Sequence, residues 1–513
     1  MTGAESLIRS LIASGIEVCF ANPGSTEIAF VEALDKIEGM RCVLGLAETI
    51  VTGSADGYAR MAEKPAVTLL HCGPGFANGI ANIHNARRAN TPMVNIVGDH
   101  ATYHRSFDAP LTTDTEGIAR TVSDWVRMSG SAQHIALDGA TAVQVACTPP
   151  GQIATLIVPT DVALGEGGGP AVPLRVMAPT QVEPDAIRIA SQILRSGEPA
   201  VLLLNGQALN EKGLATAQRI AHATGTKLLT PTHVRRMARG RGRVAVDRVP
   251  YMIDAALKVF AGFKHVILVG AKPPVAFFAY PGKPSLMVPQ DCSIHILARP
   301  EQDAVSALQW LAEELSATRH VPIQEVGSKP HISSGPFGPE AFGATLAALL
   351  PENAIVVEEA ITSGRALFPH MFNAAPYDWL SLTGGSIGYA FPCATGAAVA
   401  CRDRKVVCLQ ADGGGMYSLQ ALWTQAREKL DVVNVVFANR MYKILHGELL
   451  AGGAMLGRAS KDLFNIDRPD LDWVALAKGM GVEAVCVDTM EVFADTFRDA
   501  CVRRGPFLIE FRI

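Results

Sequence analysis

An aspartate set inside a run of glycines, Asp412-Gly413-Gly414-Gly415, follows the apolar run Val406-Val407-Cys408-Leu409 and opens a helical stretch. Glycines at such a turn let backbone N–H groups approach a phosphate, and the start of a helix favours negative charge. Asn439 closes the next apolar run, 27 residues after Asp412. A carboxylate and an amide oxygen are hard ligands, suited to a Mg²⁺ that keeps phosphate oxygens and water as its other partners. Taken alone, the same residues serve as well as a structural turn followed by a turn-forming Asn. A second carboxylate, Glu48, opens another helical stretch in Gly45-Leu46-Ala47-Glu48-Thr49, where stabilising a helix N-terminus is the simpler reading. His71 ends an apolar run beside a second Gly-rich turn, Cys72-Gly73-Pro74-Gly75. A histidine there is either structural or a proton-transfer group.

Chemistry of that kind needs strands that end at these residues. Short apolar runs at 67–70, 93–97, 200–204, 265–269, 354–357, 406–409 and 432–437 predict buried strands, with longer amphipathic stretches between them. The alternation predicts an α/β fold of parallel sheets flanked by crossover helices. Two stretches dense in Gly and Pro read as linkers: 165–184, with Gly167-Gly168-Gly169-Pro170, and 321–339, with Ser333-Ser334-Gly335-Pro336. They leave three blocks, 1–164, 185–320 and 340–513. The outer blocks share a pattern, because Val67-Thr68-Leu69-Leu70-His71-Cys72-Gly73 parallels Val406-Val407-Cys408-Leu409-Gln410-Ala411-Asp412. Val94-Asn95-Ile96-Val97 then parallels Val433-Asn434-Val435-Val436 at the same offset. A duplicated domain is expected from that match. Ligands in such sheets bind at the carboxyl ends of the strands, where both Gly-rich turns fall.

The chain has 513 residues, enough for about three domains with sizeable cores. A net charge of −4 gives no reason to expect a nucleic-acid or membrane-surface partner. The 10 cysteines stand singly, without a CxxC pair or zinc spacing, and read as reduced thiols. No basic segment leads into an apolar run near Met1, and no apolar stretch reaches membrane-spanning length. A cytoplasmic protein is expected.

With these motifs in this order, the chain resembles the thiamine-diphosphate family of 2-oxo acid decarboxylases and acetohydroxyacid synthases over nearly its whole length. The family's cofactor motif begins Gly-Asp-Gly and closes on Asn after a similar interval. Here Ala411-Asp412-Gly413 replaces the first glycine by the mildest substitution and keeps the acid. The resemblance implies a pyrimidine-binding domain (1–164), a middle domain (185–320) and a diphosphate-binding domain (340–513). It implies that Asp412, Asn439 and the backbone carbonyl of Met441 hold Mg²⁺, with Gly413, Gly414 and Thr362 at the diphosphate. Glu48, followed by Ala55-Asp56-Gly57-Tyr58-Ala59, falls where the family places the glutamate that bonds N1′ of the pyrimidine. Thr383-Gly384-Gly385-Ser386-Ile387-Gly388 is similar to the segment that cradles the aminopyrimidine, with Ile387 as the wedge that bends the cofactor. Asn22-Pro23-Gly24-Ser25 resembles the loop whose serine faces the substrate carboxylate in benzoylformate decarboxylase, and His71 falls on that enzyme's first active-site histidine.

Departures bear on the substrate. The second active-site histidine of benzoylformate decarboxylase falls on Phe277, which cannot transfer protons. The Glu that pyruvate decarboxylases carry after an Ile falls on Leu445, behind Ile444, and their His-His pair is missing. His446, His100 and His104 read either as loop residues or as substitutes. The implied activity is non-oxidative decarboxylation of a small-molecule 2-oxo acid, with or without ligation of the product to a second carbonyl. An acetolactate-synthase-like carboligase and a catalytically silent cofactor-binding paralogue are the alternatives. A homodimer or homotetramer is expected, since the family joins the first domain of one subunit to the third of another. No flavin signature stands out in 185–320, so FAD is not expected.

Overall fold

The computed structural model describes residues 1–323 and 329–513. Each apolar run expected as a strand is one. The first sheet comprises β1 (Val18–Asn22), β2 (Arg41–Leu44), β3 (Ala66–His71), β4 (Met93–Asp99), β5 (Trp125–Met128) and β6 (Ile153–Pro159). Its order is β2-β1-β3-β4-β6-β5, parallel throughout. The next strands are β7 (Ala200–Leu204), β8 (Lys227–Thr230), β9 (Met237–Arg239), β10 (Asp247–Arg248), β11 (His265–Val269) and β12 (Ser293–Ala298). All but β9 form a parallel sheet in the order β10-β8-β7-β11-β12. The third sheet carries β13 (Ala354–Glu359), β14 (Tyr377–Ser381), β15 (Val406–Ala411), β16 (Val432–Ala438), β17 (Glu483–Val487) and β18 (Phe507–Arg512). The central strands β4, β6, β13 and β16 are buried along their whole length, as parallel strands covered by helices on both faces must be.

The duplication inferred from the sequence is visible in the topology. The third sheet runs β14-β13-β15-β16-β18-β17. With β13 counted as its first strand, that order is 2-1-3-4-6-5, the order of the first sheet. The Gly-rich turns at 72–75 and 412–415 therefore occupy equivalent places, each after the third strand of its sheet.

One strand departs from the expected one-sheet-per-block plan. β9, from the middle block, pairs antiparallel with β14 at the edge of the third sheet, with Met237 opposite Trp379. Arg239 accounts for the attachment. Its guanidinium is 1% exposed, lies 3.4 Å from the Phe368 ring centroid and donates to the Phe368 carbonyl at 2.5 Å. Aromatic faces on the third domain thus receive a charge that water cannot reach. The expected linker at 165–184 is irregular apart from isolated bridges, and Pro184 opens the next helix. Residues 329–338 are irregular too, while 324–328 of the second expected linker lie outside the described residues.

The outer domains meet through two helices. Gly57, in helix Glu48–Ala62, and Gly396, in helix Ala390–Ala400, allow the backbones to touch. A Cβ on Gly57 would fall 2.0 Å from the Cys393 carbonyl oxygen, and one on Gly396 would fall 1.8 Å from that of Ser54. Beside this crossing, Asp56 and Arg60 form a fully buried ion pair at 2.8 Å. Arg60 also donates to the Ser381 carbonyl at 2.9 Å and to Thr383 Oγ1 at 3.1 Å, at the root of the Thr383–Gly388 segment. Removing one partner of a buried pair leaves an uncompensated charge and costs about 3–5 kcal/mol. Asp56→Ala is therefore expected to lower the denaturation midpoint sharply in urea melts followed by circular dichroism. A midpoint equal to that of the unaltered protein would show the pair to be dispensable.

Candidate active site

Four neighbouring strands of the third sheet end together. β16, β15, β13 and β14 deliver, in that order, Asn439, Asp412, Thr362 and the Thr383–Gly388 segment. Asp412 is 2% exposed; its Oδ1 accepts from Gly413 N at 2.8 Å and its Oδ2 from Arg440 N at 2.5 Å. The second bond ties the Gly-rich turn to the end of β16. Asn439 Oδ1 accepts from Met441 N at 3.0 Å, which folds two of the three expected metal ligands into one turn. Glycine is needed at 413 and 414, because a Cβ would lie 2.5 Å from the Tyr442 ring and 2.8 Å from Glu359 Oε1. Burial pushes the Asp412 carboxyl up to about 6, and no cationic side chain among the described residues is bonded to it. Among the described residues, no group of three or more His, Cys, Asp or Glu could hold a metal. The donors at Asp412 are instead one carboxylate, one amide and one backbone carbonyl, which fits a hard cation completed by phosphate and water. Asp412→Ala is expected to weaken Mg²⁺-dependent binding of thiamine diphosphate by more than about 100-fold, since losing even an outer-shell partner costs 10–100-fold. Unchanged Mg²⁺-dependent binding by calorimetry would remove Asp412 from the metal site.

The Thr383–Gly388 segment is held from the first domain. Asn85 Nδ2 donates to the Ser386 carbonyl at 2.8 Å, and Thr383 Oγ1 donates to the Asn85 carbonyl at 2.8 Å. His84 Nε2 meets the Gly384 carbonyl at 3.1 Å. Gly385 turns with φ +79° and is exposed, and Ile387 stands half-buried at the rim of the core. The ring of Phe277 reaches this segment, 3.1 Å from where a Cβ on Gly385 would stand. Tyr251 and His233 pack on Phe277 with ring centroids at 5.1 and 5.6 Å. Phe277 therefore lies against the cradle, where a proton-transferring histidine was the family expectation.

The carboxyl edge of the first sheet carries the other expected site residues. Glu48 opens its helix half-buried; its Oε2 accepts from Asn78 Nδ2 at 3.2 Å. Ser25 is exposed and starts a short 3-10 turn after β1. The loop it belongs to presses on His71, since a Cβ on Gly24 would fall 2.3 Å from the imidazole. His71 Nδ1 lies 2.9 Å from Glu27 Oε2, and Glu27 is fully buried. Glu27 also accepts from Gly24 N at 2.7 Å and from Thr26 Oγ1 at 2.6 Å. An ionised carboxylate only accepts, so the pair calls for Nδ1–H and leaves Nε2 as the free nitrogen of His71. Glu27 was missed in the sequence. Its signal was position: an acid two residues past Ser25, in a loop already expected at the site.

Three non-glycine residues with left-handed backbone flank these positions: Cys72 (φ +52°) follows His71, Ile361 (φ +46°) precedes Thr362, and Arg440 (φ +58°) follows Asn439. Such a conformation costs about 1–3 kcal/mol per residue and persists where the surroundings force it, often at functional sites. For a β-branched residue such as Ile361 it is a true outlier. The remaining histidines stand in other company. His100 packs on His104 with ring centroids 5.6 Å apart, and His446 Nε2 meets Asn465 Oδ1 at 3.1 Å.

Two copies of one α/β topology, with a phosphate-type turn on one and a Glu–His pair on the other, define a cofactor enzyme with a duplicated binding fold. The chain belongs to the thiamine pyrophosphate enzyme family. The family's N-terminal TPP-binding domain matches residues 1–121, and its C-terminal TPP-binding domain matches residues 363–511. A Mycobacterium tuberculosis protein provisionally named acetolactate synthase large subunit IlvX is 47% identical, over 99% of this chain and 98% of its own. Benzoylformate decarboxylase of Pseudomonas aeruginosa is 27% identical, over 97% of this chain and 96% of its own. The solved thiamine-diphosphate-dependent 4-hydroxybenzoylformate decarboxylase of Rhodococcus jostii superposes with a TM-score of 0.88 over 100% of this chain and 99% of its own. At 24% identity that likeness establishes the fold. No helix among the described residues is long and apolar enough to cross a membrane.

Proposed function

We propose that this protein decarboxylates a 2-oxo acid without oxidation, using thiamine diphosphate and Mg²⁺, and that it also joins the product to a second carbonyl compound. When bound, thiamine diphosphate supplies a carbon nucleophile for the oxo group and an electron sink for the loss of CO₂. Asp412, Asn439 and the Met441 carbonyl hold Mg²⁺, and the Gly413–Gly414 backbone and Thr362 hold the diphosphate. Ile387, on the segment braced by Asn85 and His84, would pack against the bound cofactor. Glu48 shares a proton with N1′ of the pyrimidine. Ser25 faces the substrate carboxylate, and His71 holds or delivers a proton at Nε2.

The observation that carries this reading is the Glu27–His71 pair, 2.9 Å long, at the carboxyl edge of β3 beside the Ser25 loop. A buried carboxylate that fixes one imidazole nitrogen and frees the other is the arrangement of a general acid–base catalyst. The ligation branch is favoured by the apolar residues at two positions where related decarboxylases carry polar groups, Phe277 and Leu445, and by the name of the M. tuberculosis relative. A panel of 2-oxo acids, scored by CO₂ release and by chromatography of products with an acceptor aldehyde present, tests both branches. Absence of CO₂ from every acid, together with no exchange of the cofactor's C2 proton, would mark a silent binding protein instead. We further propose a cytoplasmic homodimer or a dimer of dimers, tested by light scattering at assay concentration; fully active monomers would overturn it.

A further inference from the structure

We infer that Glu359 is a positioning residue that fixes the spacing between the diphosphate grip and the pyrimidine cradle. The inference rests on the cofactor reading above. Glu359 ends β13, three residues before Thr362, and is 1% exposed. Its Oε1 accepts from Gly388 N at 2.6 Å. Its Oε2 accepts from Tyr389 N at 2.7 Å, from Ala390 N at 2.6 Å and from Gln410 Nε2 at 3.0 Å. Gln410 in turn accepts from Ala411 N at 2.8 Å through Oε1, immediately before Asp412. One carboxylate thus binds the backbone just beyond Ile387 and, through a single amide, the backbone just before the metal-binding turn.

The helix Ala390–Ala400 begins without a side-chain cap of its own. A local Ser, Thr or Asn ordinarily supplies that bond at little electrostatic cost. Here the cap arrives from another strand and carries a charge into the core. Burial pushes the Glu359 carboxyl up to about 7, while the Ala390 N–H, the Gln410 amide and the other donors pull it down. Helix capping alone does not explain the link to Gln410, or why the residues on each side of it face the cofactor. Nor does it explain Gly414, whose missing side chain leaves room for Glu359 Oε1 and Gln410 Oε1, at 2.8 and 2.9 Å from a Cβ there. A brace between Thr362, Ile387 and Asp412 accounts for all three.

Glu359→Gln keeps the size of the side chain but sets an NH₂ group against backbone N–H donors. In the cofactor-free variant, amides 388–390 should exchange with deuterium faster than in the unaltered protein, read by mass spectrometry. Thiamine diphosphate affinity in calorimetry should fall on the order of 10-fold or more, the effect of losing a charge-assisted hydrogen bond. At saturating cofactor, exchange of its C2 proton should also slow, which a merely structural cap would leave unchanged per occupied site. Should this variant not fold, Gln410→Leu carries the same test. It removes one of the four donors, keeps the backbone ones, and should still slow C2 exchange at saturation. Affinity and C2 exchange equal to those of the unaltered protein in whichever variant folds would overturn the role of Glu359. Unaltered protein that binds no thiamine diphosphate would instead overturn the cofactor reading itself.

Discussion

Glu48→Gln binds thiamine diphosphate like the unaltered protein, yet exchanges the cofactor's C2 proton slower on the order of 10²–10⁴-fold, the usual worth of acid–base help. The two halves of this expectation have separate causes. On the proposed reading, binding depends on the third domain, where Asp412, Asn439 and the glycine turn would hold the charged end of the cofactor, and none of these is hydrogen-bonded to Glu48 among the described residues. Glutamine occupies the same volume and keeps a carbonyl oxygen, so Asn78 Nδ2, now 3.2 Å from Glu48 Oε2, retains an acceptor. What glutamine cannot do is share a proton with a ring nitrogen. Glu48 starts its helix, and the end of its side chain lies over Gly75, where a Cβ would come within 2.9 Å of Oε1. Calorimetry gives the affinity, and acid-quenched NMR of deuterium incorporation gives the exchange rate. Normal exchange in the variant would remove Glu48 from the reaction. Normal exchange accompanied by weak binding would make it a binding residue only.

The fold was legible in the sequence wherever a strand is buried on both faces. Such strands read as unbroken apolar runs, and 67–70, 354–357 and 432–437 became the cores of β3, β13 and β16. The duplication was legible for the same reason, since the two Gly-rich turns follow equivalent buried strands. β9 was hidden because it is three residues long and owes its place to contacts with Phe368 and Trp379, more than a hundred residues away. The site divides along similar lines. Asp412, Asn439 and Glu48 stand in motifs whose residue types announce a charge or a metal. Glu27 and Glu359 carry no motif. Each matters through partners that only folding brings near: an imidazole 44 residues on for Glu27, and backbone amides 29–31 residues on for Glu359. An isolated glutamate in a sequence reads as surface charge, and only the fold shows these two buried against the groups they bond.

His71→Ala cuts turnover on the order of 10²–10⁴-fold while thiamine diphosphate binding stays near normal, because the residue's work is proton delivery. A decarboxylase must place a proton on the carbon that has lost CO₂ and then let the aldehyde leave. The surroundings of His71 suit that step: Glu27 meets Nδ1 from a fully buried position, Gly24 lets the loop close on the ring, and no hydrogen bond from the described residues takes Nε2. Glu27→Gln therefore tests the same device from behind. It should lower kcat with little change in KM, since the imidazole keeps its place and an amide acceptor at Nδ1 but loses the carboxylate charge behind it. Two positions where related decarboxylases carry polar groups are apolar here. Phe277 lies on Gly385, backed by Tyr251, and Leu445 is 41% exposed on the helix Lys443–Ala451. On the proposed reading, one histidine in place of two would slow protonation and give an acceptor carbonyl time to capture the carbon. Hydroxyketone should then form beside aldehyde when an acceptor aldehyde is present, and the Ala variant should lose aldehyde release more than ligation. Chromatography of products against total CO₂ gives both. Aldehyde release undiminished in His71→Ala would remove the histidine from the mechanism. Fast aldehyde release without hydroxyketone in the unaltered protein would show that a second acid reaches the carbon. His446, held by Asn465 3.1 Å away, is then the residue to replace next.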